Sequence, residues 1–294
     1  MNIILFGKNG QLGWELERSL PVLGNVFALD RATLDVCNPN AIQQTLRELK
    51  PGLVINASAY TDVDRAEKEP ELAMKINALA PGIMAEMSRT LGAVFIHYST
   101  DYVFDGMGNR TYKEDDITDP VNLYGDSKLQ GEKKIMQINI EAIIIRAAWV
   151  YSEFGKNFVK TMLRLMADKE QISVVSDQSG TPTYAADLAE AIVEIISTLE
   201  NPTHHSLLTT PGGIYHYSNE GHITWYDFAF AIKELSDSSC KVNPIPTSQF
   251  PTPAKRPSYS VLDKTKIQQA FGIRTKDWKT SLAVCLKRLG NKPN

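Results

Sequence analysis

The sequence predicts an α/β fold, a Rossmann-type doubly wound parallel sheet with a second, smaller, loop-rich α+β domain. Three observations predict it. Short β-rich runs alternate with amphipathic stretches through the first half. A glycine-spaced turn joins the first run to the first amphipathic stretch. After Trp149 the alternation fades, and Pro, Thr, Ser, Gly and aromatics accumulate from Thr203 to Pro257. At 294 residues, the chain is long enough for a sizeable core and for about two domains.

Strands are expected at Asn2–Phe6, Asn25–Leu29, Leu53–Asn56, Val94–His97 and Ala142–Arg146. Between them, Leu12–Leu20, Ala41–Leu49, Glu71–Leu91 and Tyr124–Gln137 carry apolar residues at three-to-four spacing and read as helices. Five strands with four crossovers give a dinucleotide-binding domain over residues 1–150. Then come a helix at Asn157–Ala167, a short strand at Ile172–Val175 and a helix at Ala186–Leu199. That last helix is expected to return and pack on the first sheet, so residues 185–200 join the first domain while most of 151–294 forms the second. The Pro-rich NPIPTSQFPTPAKRP (243–257) suits a disordered linker and an extended binding loop equally. Two short helices, Lys264–Phe271 and Asp277–Leu289, follow it.

Composition excludes several classes. With 31 Lys+Arg against 34 Asp+Glu, the chain lacks the basic footprint of a protein that holds a nucleic acid polymer. Cys37, Cys240 and Cys285 form no C-x-x-C, which argues against a disulfide framework and for a reducing, cytoplasmic setting. No apolar run reaches membrane-spanning length, and MNIILFGKNG lacks the features of a secretion signal. The histidines His97, His204, His205, His216 and His222 show no H-x-x-x-H or H-E-x-x-H, so a metal-hydrolase site is not expected. His204-His205 and the acidic Asp115, Asp116 and Asp119 read as solvated loops.

Chemistry concentrates in three places. The first strand runs into Gly7-Lys8-Asn9-Gly10-Gln11-Leu12-Gly13, where glycines allow a tight turn and bring helix N-terminal N–H groups to a pyrophosphate. The second strand ends at Asp30-Arg31: Asp30 suits a ribose diol and Arg31 a 2′-phosphate, so NADH and NADPH both stay open. Thr100 and Asp101 follow the fourth strand, at the carboxyl end where open α/β sheets bind ligands. Tyr124 and Lys128 lie at i and i+4 on one helix face, a pairing in which an ammonium can lower a phenol's pKa and make it a tuned general acid.

These motifs, in this order, resemble the extended short-chain dehydrogenase/reductase superfamily, and within it the dTDP-4-dehydrorhamnose reductase family. The resemblance covers nearly the whole chain: FGKNGQLG, NASAYTDVD (56–64), HYSTDYVFDG (97–106), YGDSKLQGE (124–132), RAAWVY (146–151), NFVKTMLRL (157–165), DQSGTPT (177–183), TWYDFA (224–229) and PTPAKRP (251–257). It implies NAD(P)H-dependent reduction of a 4-keto nucleotide sugar to dTDP-L-rhamnose. Tyr124 would donate the proton, Lys128 would lower its pKa and bind the nicotinamide ribose, and Thr100 would hydrogen-bond the keto oxygen. Gly7, Gly10, Gln11 and Leu12 would hold the pyrophosphate, Asp30, Asp35 and Val36 the adenosine end, and Ala59, Tyr60, Thr61 and Tyr98 the rest of the cofactor. Asp101, Trp149, Asn157, Thr183 and Arg256 would contact the nucleotide sugar.

The resemblance also raises a metal question. Some members bind Mg²⁺ at a dimer interface through a glutamate on the first helix and an acidic residue after G-x-P-T. Glu15 is present, but the later position reads Tyr184-Ala185-Ala186, with no carboxylate until Asp187. Metal-linked dimerisation is therefore not expected, while Mg²⁺ itself and the choice between monomer and homodimer stay open. Two other readings compete: an epimerase or dehydratase, disfavoured because Thr100-Asp101-Tyr102 lacks the Asp-Glu pair, and a non-catalytic NADP-binding regulatory subunit, disfavoured by the intact Thr100, Tyr124 and Lys128 set.

Overall fold

The computed structural model describes residues 1–200 and 212–290. Six strands form the main sheet: β1 Asn2–Phe6, β2 Asn25–Leu29, β3 Leu53–Asn56, β4 Val94–Thr100, β5 Ile143–Ala147 and β6 Gly213–Tyr217. All pair in parallel, in the order β6-β5-β4-β3-β1-β2. The order reverses at β1, with β2 on one side and β3 on the other, and this opens a crevice at the strands' carboxyl ends.

Side-chain alternation along the strands builds two cores. Ile3, Leu5, Ile55, Ile96 and Ile145 pack with Leu16 and Leu20 at the first helix, Gln11–Ser19, and with Leu188, Ile192 and Ile195 of the helix Ala185–Glu200. Ile4, Val54, Phe95 and Ile144 face the opposite way, onto Ile42 and Leu46 of the helix Pro39–Leu49, Met84 of Ala80–Leu91 and Ile135 of Leu123–Ile138. Ile42 and Leu46 are one turn apart and fully buried, each contributing roughly 1.5–3 kcal/mol. A separate cluster joins Val159, Met162, Ile172, Val174, Phe228, Ile232, Val242 and Leu282.

The second half departs from the sequence reading. The main sheet has six strands, not five: GIYHY was expected within loops, but register with Ile143–Ala147 makes it β6. Such a short run has no periodicity of its own, and its parallel partner lies some 70 residues away in sequence. The helix Trp225–Leu235 was also missed, although Thr224 and Asp227 form a reciprocal capping box at its start. The Pro-rich stretch is neither linker nor plain loop at its beginning: Lys241–Ile245 pairs in parallel with Gln171–Val175, and Pro244 is tolerated in that two-stranded sheet. Further on, Ala254 and Pro257 are buried. The single helix expected over Glu71–Leu91 is three pieces, Pro70–Met74, a π-helical Lys75–Leu79 and Ala80–Leu91. The remaining elements match within a few residues, β4 running on to Thr100. The start of the expected loop region, 203–211, with His204-His205, lies outside the described residues. Among the described residues, no helix is long and apolar enough to cross a membrane.

Candidate active site

The glycine turn is built for close approach. Gly7 has φ +87°, and a Cβ there would stand 2.6 Å from the Ser58 backbone nitrogen. A Cβ on Gly13 would fall 2.0 Å from the Gly7 carbonyl oxygen, so no larger residue fits either position without moving the backbone. The helix Gln11–Ser19 begins at Gly10 with no side-chain cap and no acidic residue in its first turn. Its first N–H groups are left for an anion. Gln11 offers backbone only, because its side chain donates to the Val150 carbonyl (3.2 Å) and accepts from Asn157 (2.9 Å). Leu12 packs against the sheet core.

At the end of β2, Asp30 accepts from the backbone N–H of Ala32 and Thr33 and from the Thr33 hydroxyl, while its second oxygen accepts from Asn9. The Thr33 hydrogen bonds bring its carboxyl down to about 2. Arg31 beside it is exposed. Asp35 accepts from the Cys37 N–H, and Val36 packs on the sheet. After β3, Ala59 and Tyr60 are half-buried and Thr61 is exposed. The Tyr60 N–H donates to Asn77, and its hydroxyl donates to Glu69. Tyr98 is buried with its hydroxyl unpartnered, an orphaned donor facing the sheet core.

Two elements deliver the reacting groups. Thr100 ends β4, donates to Asp101 (3.0 Å) and accepts the Tyr102 N–H (3.2 Å). The helix Leu123–Ile138 starts at Asn122, whose side chain accepts the Gly125 N–H (2.8 Å) and donates to the Lys255 carbonyl (2.8 Å). Gly125 lets this helix touch the Asp101–Val103 turn: a Cβ there would lie 2.2 Å from the Tyr102 carbonyl oxygen. Tyr124 therefore meets both Tyr102, edge to face at 5.7 Å, and the Thr100 hydroxyl, to which it is hydrogen-bonded.

Burial dominates the electrostatics of Tyr124 and Lys128. Burial pushes the Tyr124 phenol up to about 12, the Thr100 hydrogen bond pulls it down and Asp101 adds to the rise. The Lys128 ammonium donates to the Tyr98 carbonyl and stands 3.4 Å from His97 Nε2. Burial lowers Lys128 to about 8, opposed by Glu132. The phenol is thus protonated in this state, with burial as the main cause.

Asp101 is buried with one oxygen unpartnered, and desolvation lifts its carboxyl to about 6 against hydrogen bonds from Ser260 and Thr100. Asp101, Arg256, Tyr124 and Asp64 all act on the Tyr102 phenol, so β4, the catalytic helix and the 254–257 segment converge there. Arg256 already has a partner: it donates to Asp64 (2.8 Å) and to the Ala254 carbonyl (3.0 Å). Asn157 spends both amide protons on Gln11 and the Ser152 carbonyl and caps its own helix, so it braces the phosphate turn. Trp149, at φ +48°, stacks on Trp225 with centroids 3.5 Å apart. The Thr183 hydroxyl is buried and unpartnered.

Sequence reasoning missed Asn77, which ties Tyr60 to Ser127 of the catalytic helix from a π-helical turn. Such turns have no residue signature, although they recur at functional sites. It also missed Ser260 and Asp64, which reach the site only through long-range packing. The Glu15 carboxyl accepts from Ser152 and lies against Glu153, and burial with that neighbouring carboxylate pushes it up to about 7. Among the described residues, no group of three or more His, Cys, Asp or Glu could hold a metal ion.

Residues 1–291 match the family described as RmlD substrate binding domain. The dTDP-4-dehydrorhamnose reductase of Escherichia coli (strain K12) is 42% identical, with 98% of each chain covered. Among solved structures, a dTDP-4-dehydrorhamnose reductase from Clostridium acetobutylicum superposes with TM-score 0.92 at 38% identity, covering 99% of this chain and 100% of that one. The dTDP-4-dehydrorhamnose reductase from Bacillus anthracis, solved in complex with NADP, gives TM-score 0.91 at 36% identity, covering 98% and 99%. With its six-stranded parallel sheet, glycine turn and Thr100-Tyr124-Lys128 set, the chain belongs to the dTDP-4-dehydrorhamnose reductase family and is an oxidoreductase of the extended short-chain dehydrogenase/reductase fold.

Proposed function

We propose that this protein reduces the 4-keto group of dTDP-4-dehydro-L-rhamnose to give dTDP-L-rhamnose, with Tyr124 as proton donor. The observation that carries this reading is the placement of Tyr124 beside Thr100 at the carboxyl end of β4, in a fold whose first helix opens uncapped at a glycine turn. When bound, the nicotinamide supplies the hydride. Thr100 then orients the keto oxygen toward the phenol, Tyr124 delivers its proton to the developing alkoxide, and the buried Lys128 ammonium steadies the phenolate left behind. Asp101 and Trp149 border the sugar nucleotide, and Thr183 supplies a free hydroxyl. Arg256 reaches a diphosphate by exchanging part of its contact with Asp64. Residues 1–150 with 185–200 form the cofactor part and most of 151–294 the sugar-nucleotide part.

NADPH is favoured over NADH. Asp30 is saturated by its own turn and Asn9, which leaves it little capacity for a ribose diol, while Arg31 is exposed beside it. The NADP found in the Bacillus anthracis relative supports the same choice. The fit extends to the cradle itself, since Gly7 and Gly13 leave room that a Cβ would fill.

The decisive assay follows NADPH absorbance with dTDP-4-dehydro-L-rhamnose and identifies the product sugar. NADPH oxidation that yields dTDP-L-rhamnose, with every ring centre other than C4 unchanged, supports the reading; tight NADPH binding without turnover would move the chain to a regulatory role. Lys128→Met is expected to lower kcat and weaken NADPH binding together. Cofactor affinity unchanged from wild type would refute the ribose contact.

A further inference from the structure

His97 lies on β4, fully buried, and no role in the reaction described above uses it. Its ring sits between two fixed nitrogens. Asn56 Nδ2 is 3.1 Å from Nδ1, and Lys128 Nζ is 3.4 Å from Nε2. The Asn56 orientation is not free: its Oδ1 accepts the backbone N–H of Ser58 (3.0 Å) and the Ser58 hydroxyl (2.6 Å). A backbone N–H can only donate, so Asn56 must present its NH₂ to the imidazole, and Nδ1 must be the unprotonated acceptor. Neutral imidazole then carries its one proton on Nε2, aimed at the lysine nitrogen. Facing an ammonium, this is a donor against a donor; facing an amine, it is a hydrogen bond. The shorter of the two contacts is the one to Asn56, as this assignment requires.

We propose that His97 is a positioning residue for the catalytic lysine: locked as the Nε2–H tautomer by Asn56 and Ser58, it adds to burial in disfavouring the charged form of Lys128 and so helps to set the pH at which the site loses that charge. This rests on the reading of Lys128 as the ammonium that steadies the Tyr124 phenolate. Other charged groups around Lys128 do not supply the effect. On its own helix Glu132 acts in the opposite sense, favouring the ammonium. On the neighbouring turn, Asp101 and Tyr102 face Tyr124. On the helices packed alongside, Asp64 is paired with Arg256, Arg65 with Glu69, and Arg89 donates to the Ile138 carbonyl. Lys75 of the π-helical turn and Tyr98 on β4 are the remaining titratable groups on that side, and neither has a resolved effect on Lys128. Lys128, lowered to about 8 by burial, therefore governs the alkaline limb of the pH profile, because Tyr124 holds its proton far above that range.

Two measurements test this. Nitrogen-15 NMR of the His97 ring in the whole protein is expected to show a protonated Nε2 and a bare Nδ1 through neutral pH; a protonated Nδ1 overturns the proposal. In His97→Gln the amide can turn its oxygen to the ammonium, so the alkaline pKa in kcat/KM for NADPH is expected to rise by about one unit, with Lys128 titrating upward by the same amount in NMR. An alkaline pKa that falls or stays fixed in a folded His97→Gln protein refutes it. If the tautomer and the Lys128 shift are as stated but the protein turns over no keto sugar, the reading of the reaction fails while the His97 assignment stands.

Discussion

Tyr124→Phe is expected to cut kcat by about 10²–10⁴-fold while NADPH binding changes by no more than a few-fold. The reason is that phenylalanine keeps the ring and its edge-to-face contact with Tyr102 but removes the one proton held at the crevice mouth beside Thr100. The loss should fall on kcat and kcat/KM alike, since the proton moves only in the transition state. Stopped-flow turnover and fluorescence titration with NADPH separate the two effects. Near-normal turnover in Tyr124→Phe would mean that water or another acid protonates the product, and the assignment would be withdrawn. A Thr100→Ala companion should lose less, because Thr100 orients the oxygen without supplying the proton.

Glu132→Ala is expected to destabilise the fold by about 3–5 kcal/mol, a large part of the total stability of a typical protein. Glu132 and Arg146 are each 2% exposed and joined by two bonds, Nε to Oε1 at 2.9 Å and Nη2 to Oε2 at 2.7 Å. The guanidinium also lies over the Phe104 ring and donates to the Glu114 carbonyl. Removing Glu132 leaves a buried cation with no counter-charge between β5 and the catalytic helix. Urea unfolding should show a lower midpoint, and Glu132→Leu combined with Arg146→Met should recover much of the loss, because apolar replacement removes the stranded charge. A single-variant cost below about 1 kcal/mol would show that water reaches Arg146.

Much of the site was legible because local chemistry demands local patterns. Gly7 and Gly13 announce a backbone approach that larger residues forbid, and Tyr124 and Lys128 sit one helical turn apart wherever the helix lies. The capping box Thr224–Asp227 is equally local, but the helix after it is masked in the sequence because its aromatics, Trp225, Tyr226, Phe228 and Phe230, blend into the loop-rich composition around them. β6 was invisible for a different reason: GIYHY becomes a strand only by pairing with Ile143–Ala147, and no periodicity within five residues encodes a distant partner.

The doubly wound class, the glycine turn and the Tyr124–Lys128 pairing were legible in the sequence through strand and helix alternation, steric demand and helical spacing, while the grouping of Thr100 with them came from the resemblance. Only the tertiary structure decided the electrostatics: Tyr124 shifted up by burial, Arg256 paired with Asp64, Asn157 bracing Gln11, and His97 set between Asn56 and Lys128. Proton affinities depend on desolvation and on partners brought from remote parts of the chain, and neither exists until the sheet and its covering helices close around the site.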